Sequence, residues 1–532
     1  MGLSAGRSTL ALPEKERRKL NRPLPRKSLL LANGEGQIPS CIPLEVVVAG
    51  KCLRLLWKAN CGPLLGRSLL AAANLMLLGL IAPNIVAAQP LQRTESVEVL
   101  DANKAKVAAL IVPRSGIQFS EVAVLINDND PQSVEVASYY QQVRKIPNRN
   151  MIHLNFDQDK MYPGFKSNNG IDPAEFAALK AQVDAAAGPE IQAFVVSWSR
   201  PFRIAGFNYY STNYSITSAF AFGIEPAALT GNNCAAMPLN RYFGSSSTAP
   251  YTDFGIRPTM MLAGQSAANV KATIDKGFNA EGTLPKGDGW FVRTADSLRS
   301  GPRMQDFQTT VQHWNRPDGL TLTYFDYSTN GRRSEVKNAA NILFYQTGAA
   351  NVPGVNTNTY VPGALADHLT SNGGNLFGTE QMSAIRWLEA GVTASYGTVT
   401  EPCAHADKFP AASVLVESYF RGNTAVEAYT KSVRQPAQGV FVGDPLARPF
   451  GTRATLVNGL LNITTSSLQP GLNYNLYSAP SAAGPFSKIA TISVPRYQFA
   501  TVAVPGMAAP FYKLEPSGTF PMPGAVAGPT SH

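Results

Sequence analysis

The chain has 532 residues, 44% of them hydrophobic, so it can bury a large core and is too long for one ordinary domain. Its formal charge of +10 is local: residues 1–67 hold 12 of the 46 Lys and Arg and 4 of the 36 Asp and Glu, leaving a near-balanced 34 and 32 for the rest. That balance removes the case for a nucleic-acid partner, and two cysteines beyond residue 61, Cys234 and Cys403, exclude a disulfide-built scaffold.

Taken in order, the basic leader ends at Arg67, an apolar run covers Leu69 to Ile81, Pro83 breaks it, and Val86-Ala87-Ala88 supplies small residues. This is the basic-apolar-small order of a signal peptide, with cleavage after Ala88 and Gln89 as the mature start. The residues ahead of it read either as a mis-set start or as a disordered extension. The run is too short to span a bilayer comfortably, and no other segment is long and apolar enough to do so. The expected setting is the periplasm or the cell exterior. There Cys234 and Cys403 are free to pair, a point the sequence leaves open.

Residues 89–118 read as an irregular lead-in. Residues 122–127 (VAVLIN) form a continuous apolar run, the pattern of a strand buried on both faces. Asp130 caps a helix with Pro131 at its first position, Ile146-Pro147 ends it, and residues 151–154 give the next strand. Strand-helix-strand implies a parallel sheet. A helix follows Asp172-Pro173, and 191–197 is a third strand. From 199 to about 264 the pattern weakens and reads as an insertion or lid, whose Tyr209, Tyr210 and Tyr214 either line a groove or simply pack. Helices are expected over 265–277 and 302–314, strands over 290–294 and 320–325, a long helical region over 412–433 and a strand at 439–442. Beyond Phe450, short alternating segments between turns read as a small all-β sandwich over 451–518, followed by a Pro/Gly/Ala tail.

The densest set of reactive groups lies in Asn341 to Pro402 and just after it. Ser371 beside His368 is the sharpest candidate nucleophile and base, with Asp367 and Glu401 as further acids and the amides of Gly373 and Gly374 as oxyanion donors. Against this stands the reading that Thr370 or Ser371 caps a turn and His368 bonds nearby backbone. Cys403 and His405, two apart, suit a thiolate–imidazole pair or a disulfide. A metal could draw on Asp367, His368, His405 and Asp407, at weak spacing, and none is committed to. Asp128, Asp130, Glu401 and Asp444 all follow expected strands and either converge on one edge, as glycoside hydrolysis would need, or cap helices and turns. No phosphate-binding glycine loop is present, and no cofactor is expected.

The segments 124–154 (VLINDNDPQSVEVASYYQQVRKIPNRNMIHL), FYQTG (344–348), GALADHLTSNGG (363–374), GTVTEP (397–402) and GDPLARPF (443–450) resemble a family of secreted bacterial proteins from genomes that carry exosortase, the PEP-CTERM sorting system. The resemblance implies an envelope setting, with an envelope protein or exopolysaccharide as partner. The sorting signal itself, an apolar span followed by arginines, is not expected after Gly518. The last third of 118–450 also resembles the gingipain and caspase-like cysteine peptidases in its strand-loop-helix order and in Gly443-Asp444-Pro445. The catalytic pair is not matched. Thr347-Gly348 stands where those peptidases have His-Gly, and Asp367-His368-Leu369-Thr370-Ser371 stands where they have Cys. The expected fold is therefore α/β, a mainly parallel sheet flanked by helices and similar to the caspase-like fold, followed by the β-sandwich. The expected function is either a hydrolase-like envelope protein or a non-catalytic binding or scaffold protein.

Overall fold

The structure, a computed structural model, describes residues 47–48, 51–52, 93–159, 169–205, 214–225, 234–314, 320–505 and 509–518. Residues 68–88, where a signal peptide is expected, Tyr209, Tyr210 and the 519–532 tail lie outside the described residues. Residues 1–87 and 88–532 are separate units. In the first, Val47–Val48 pairs antiparallel with Lys51–Cys52. The rest concerns the second unit.

Ten strands form one sheet. Across it run Thr321–Asp326, Asp288–Arg293, Ile342–Gly348, Tyr360–Leu369, Ala394–Thr398, Gly439–Gly443, Thr259–Met261, Ala193–Val196, Val122–Asn127 and Met151–Leu154. Every pairing is parallel except one, between Ala394–Thr398 and Gly439–Gly443. The fold is thus mixed α/β, made of two parallel halves that run in opposite directions and meet at one antiparallel seam.

Residue alternation explains the layers. In Val122–Asn127 all six residues are buried. Val122, Val124 and Ile126 enter one core with Val136 and Tyr140 of helix Pro131–Arg144, while Ala123 and Leu125 enter another with Phe176 and Val183 of helix Pro173–Ala186. A period of two sends neighbours to opposite faces, so only an unbroken apolar run satisfies helices on both sides. Both helices start as their sequences dictate: Asp130 accepts from the Gln132 amide at 2.9 Å and Asp172 from the Ala174 amide at 2.8 Å, each with proline at the first position. The long helical region divides into Ala412–Phe420 and Ala425–Ser432, broken at Gly422, whose φ of 82° suits glycine.

Two sequence expectations change. The 199–264 stretch, expected as an insertion or lid, contributes to the body of the fold. It supplies the strand Thr259–Met261 to the main sheet and the buried helix Ile216–Phe222 to one face, with Tyr214 packed inside. The irregular lead-in is a strand pair, Thr94–Leu100 with Lys106–Pro113. These strands sit inside the second sheet. Thr94–Leu100 pairs with Arg453–Val457 and Lys106–Pro113 with Phe511–Pro516. Six strands follow Phe450, and with the early pair they make one eight-stranded hydrogen-bonded sheet around a core that includes Val99, Leu110, Leu476 and Tyr512.

A buried latch joins the two sheets. Arg448, beyond the last main-sheet strand, pairs with Glu95 and Ser115 through Nη2 and donates Nε–H to the Gly422 carbonyl at 2.8 Å. Replacing Arg448 with Met strands a buried carboxylate, which typically costs about 3 kcal/mol. Urea unfolding should show that loss, with partial recovery in the Arg448→Met, Glu95→Gln double variant; an unchanged midpoint would refute the latch.

Candidate functional site

The strand Tyr360–Leu369 carries Asp367 and His368 into the sheet with both side chains fully buried. As neighbours on a strand they face opposite sides, and their partners show it. Asp367 accepts from Arg303 Nη1 at 2.5 Å and from Gln346 Nε2 at 2.7 Å. Arg303 also bonds the Thr347 and Pro410 carbonyls. Burial pushes the Asp367 carboxyl above its usual range, and Arg303 and Gln346 pull against it.

On the other face, His368 Nδ1 accepts from Trp387 Nε1–H at 3.0 Å, and its Nε2 lies 2.9 Å from the Met382 carbonyl. An indole only donates and a carbonyl only accepts, so the ring is the neutral Nε2–H tautomer with both nitrogens committed. Burial lowers its pKa from 6.5 to about 4, opposed by the Met382 bond. Asp367 and His368 therefore do not form one acid–base pair, and His368 has no lone pair left for Ser371.

Ser371 is half-buried in the turn after the strand, and its carbonyl accepts from Thr398 Oγ1 at 3.1 Å. Thr370 is buried between Arg299 Nε and Gln381 Oε1, at 3.2 and 2.9 Å. Gly374 donates its amide to Thr398 O at 2.8 Å, so that amide is not a free oxyanion donor. Its need for glycine is steric: a Cβ on Gly374 would lie 2.5 Å from the Gly397 carbonyl oxygen. Gly373 is likewise buried in this close backbone crossing, its carbonyl accepting from Ala384 N at 2.7 Å.

Cys403 is joined to Cys234 in a disulfide, with Cα atoms 5.2 Å apart. Its sulfur is therefore not a thiolate nucleophile, which corrects that candidate. Glu401 is exposed and accepts from the Cys403 amide at 2.7 Å. Beside the disulfide, a recess of about 340 Å³ is lined by residues that include His405, Asp407, Lys408 and Gln435. Burial lowers the Lys408 pKa to about 8, with Glu401 opposing. Asp407 there lies 3.4 Å from Arg434 Nε. Among the described residues no three His, Cys, Asp or Glu side chains come together as a metal site.

The four strand-end acids do not converge. The seam reverses direction, pairing Ala394 with Gly443 and Thr398 with Gly439. Glu401 therefore lies at one edge of the sheet, and Asp128, Asp130 and Asp444 follow strands that end at the other. Within that edge Asp128 meets His153 Nδ1 at 2.7 Å, Asp130 caps its helix, and buried Asp444 pairs with Arg144 and accepts from Tyr140 Oη at 3.2 Å.

The residues that decide the chemistry, Arg299, Arg303, Gln346 and Trp387, had no sequence signal of their own. Each reaches the 367–371 segment from another element, through pairings such as Gln346 with Asp367 and Thr347 with His368.

No protein-family model matches the chain, and no curated protein does. Two solved structures align over much of it. One, titled "Structure of Protease", is 10% identical, with a TM-score of 0.38 over 73% of this chain and 92% of that one. The other is a complex of Porphyromonas gingivalis RgpB pro- and mature domains, 9% identical, with a TM-score of 0.34 over 74% of this chain and 99% of that one. Among the described residues no helix is long and apolar enough to cross a membrane.

The His368 environment sets a pH dependence. Its folded pKa lies below its unfolded value, so as pH falls the unfolded chain takes up the proton first and stability drops from about pH 6.5 toward pH 4. The expected loss between pH 7 and pH 5 is about 2 kcal/mol. Urea midpoints at the two pH values should show it, and His368→Gln should flatten this part of the profile. A second expectation concerns the disulfide. Non-reducing peptide mapping should recover the Cys234–Cys403 cross-link, and Cys403→Ser should lower stability by about 3 kcal/mol.

Proposed function

We propose that this chain is a secreted, envelope-associated protein whose α/β unit has a caspase- and gingipain-like architecture and which works as a binding or scaffold protein, not by covalent catalysis. The observation that carries the reading is the commitment of both His368 nitrogens to Trp387 and Met382. A hydroxyl is inert without a base to take its proton, and Ser371 has none in His368. Asp367 is held by Arg303, and the Cys403 sulfur is in a disulfide.

Support for the architecture comes from the buried strand Ile342–Gly348 lying parallel beside Tyr360–Leu369, with Gly443-Asp444-Pro445 after the last strand of the sheet. Support for the envelope setting comes from the leader pattern and from the Cys234–Cys403 bond, which persists in oxidising compartments. An exosortase-linked role, with an envelope protein or polysaccharide as partner, rests on the motif resemblance of residues 124–154 and 344–450.

Fluorophosphonate and epoxide thiol probes test the proposal. The folded protein should not be labelled, and Ser371→Ala and His368→Ala should leave that unchanged. Labelling that disappears in Ser371→Ala and weakens in His368→Ala would make the protein a hydrolase and overturn the reading.

A further inference from the structure

Arg200 and Arg203 differ in one respect from three more deeply buried arginines. Arg144, Arg303 and Arg448 each meet a buried carboxylate, Asp444, Asp367 and Glu95. Arg200 and Arg203 are half-buried, yet among the described residues neither makes an ion pair. The Nε of each is buried without an acceptor, as are those of Arg144 and Arg303, so the missing carboxylate is what distinguishes the pair. Among the described residues the one hydrogen bond of the Arg203 side chain is long, Nη1 to the Val399 carbonyl at 3.4 Å. Burial lowers the Arg203 pKa, and no charged neighbour acts on it.

The two guanidinium groups pack on one pair of rings. Arg200 lies 3.8 Å from the Phe377 ring centre, Phe377 lies 6.3 Å from Phe202, and Arg203 lies 5.9 Å from Phe202. The rings pack against both groups while each Nε–H keeps an unused donor. Segments 206–213, directly after this stretch, and 160–168, which lead into it at Asn169, contain no Asp or Glu. Desolvating a guanidinium without a counter-charge is unfavourable. An oxyanion accepting from such a fork removes that cost.

We propose that Arg200 and Arg203 form a binding site for an oxyanion group, a carboxylate, sulfate or phosphate, on a ligand from outside this chain. The site deepens the binding reading by naming the ligand chemistry. The two stand or fall separately, since labelling of Ser371 would overturn the first and leave anion binding at these arginines unaffected.

The test is calorimetric titration of the full chain with sodium glucuronate, sulfate, phosphate and neutral glucose, at ionic strength held constant with chloride. At least one anion should bind saturably and glucose should not. Which anion binds most tightly identifies the group. Arg203→Gln and Arg200→Gln should each weaken binding roughly tenfold or more, and Arg203→Lys, which keeps the charge but not the fork, should weaken it less. If Arg203→Gln fails to fold, Arg200→Gln and Arg203→Lys still report. No binding of any of the three anions, or binding unchanged in the variants, would overturn the proposal.

Discussion

Hydrogen bonding between Ala394–Thr398 and Gly439–Gly443 runs antiparallel, while all the other pairings in the ten-stranded sheet run parallel. In an open parallel sheet, ligand-facing loops gather at the carboxyl ends of the strands. Reversing direction at one seam divides those ends between two opposite edges. Asp128 and Asp444 go to one edge, and Glu401 and the turn after His368 go to the other. The seam also brings the two halves into one continuous core, with Phe441 and Tyr396 from its two strands 5.2 Å apart. No rearrangement of loops could assemble the four acids without breaking this pairing.

Within the half that holds the 367–371 segment, polar groups that look reactive in isolation are satisfied internally. Arg303 reaches across from before its helix to hold Asp367 and the ends of two strands. Trp387 holds His368 from the opposite face. A buried network of this kind specifies how helices sit on a sheet, and its residues are costly to change for that reason alone.

The elements most legible in the sequence were those determined locally. Asp130-Pro131 announced a helix start, and 122–127 announced a doubly covered strand, because caps and apolar runs are short-range signals. The strand pair Thr94–Leu100 and Lys106–Pro113 was missed because its neighbours on both sides come from the far end of the chain. Thr259–Met261 was missed because three residues carry too little pattern. At the site, the residue types were visible and their partners were not. That Asp367 would meet Arg303, or Cys403 meet Cys234 across 169 residues of sequence, is a property of the sheet order alone.

The placement of that early strand pair has a further consequence for how the chain is made. Synthesis proceeds from the amino end, so Thr94–Leu100 and Lys106–Pro113 emerge with two unpaired edges and wait for partners until the whole α/β unit has been translated. Unpaired strand edges invite pairing with other chains. The second sheet thus closes last, around a hairpin made first, and the nascent chain is exposed to mispairing for almost the whole of its synthesis. Protection of that hairpin during the interval, by a holding chaperone or by keeping the chain extended, is a requirement set by the strand order itself.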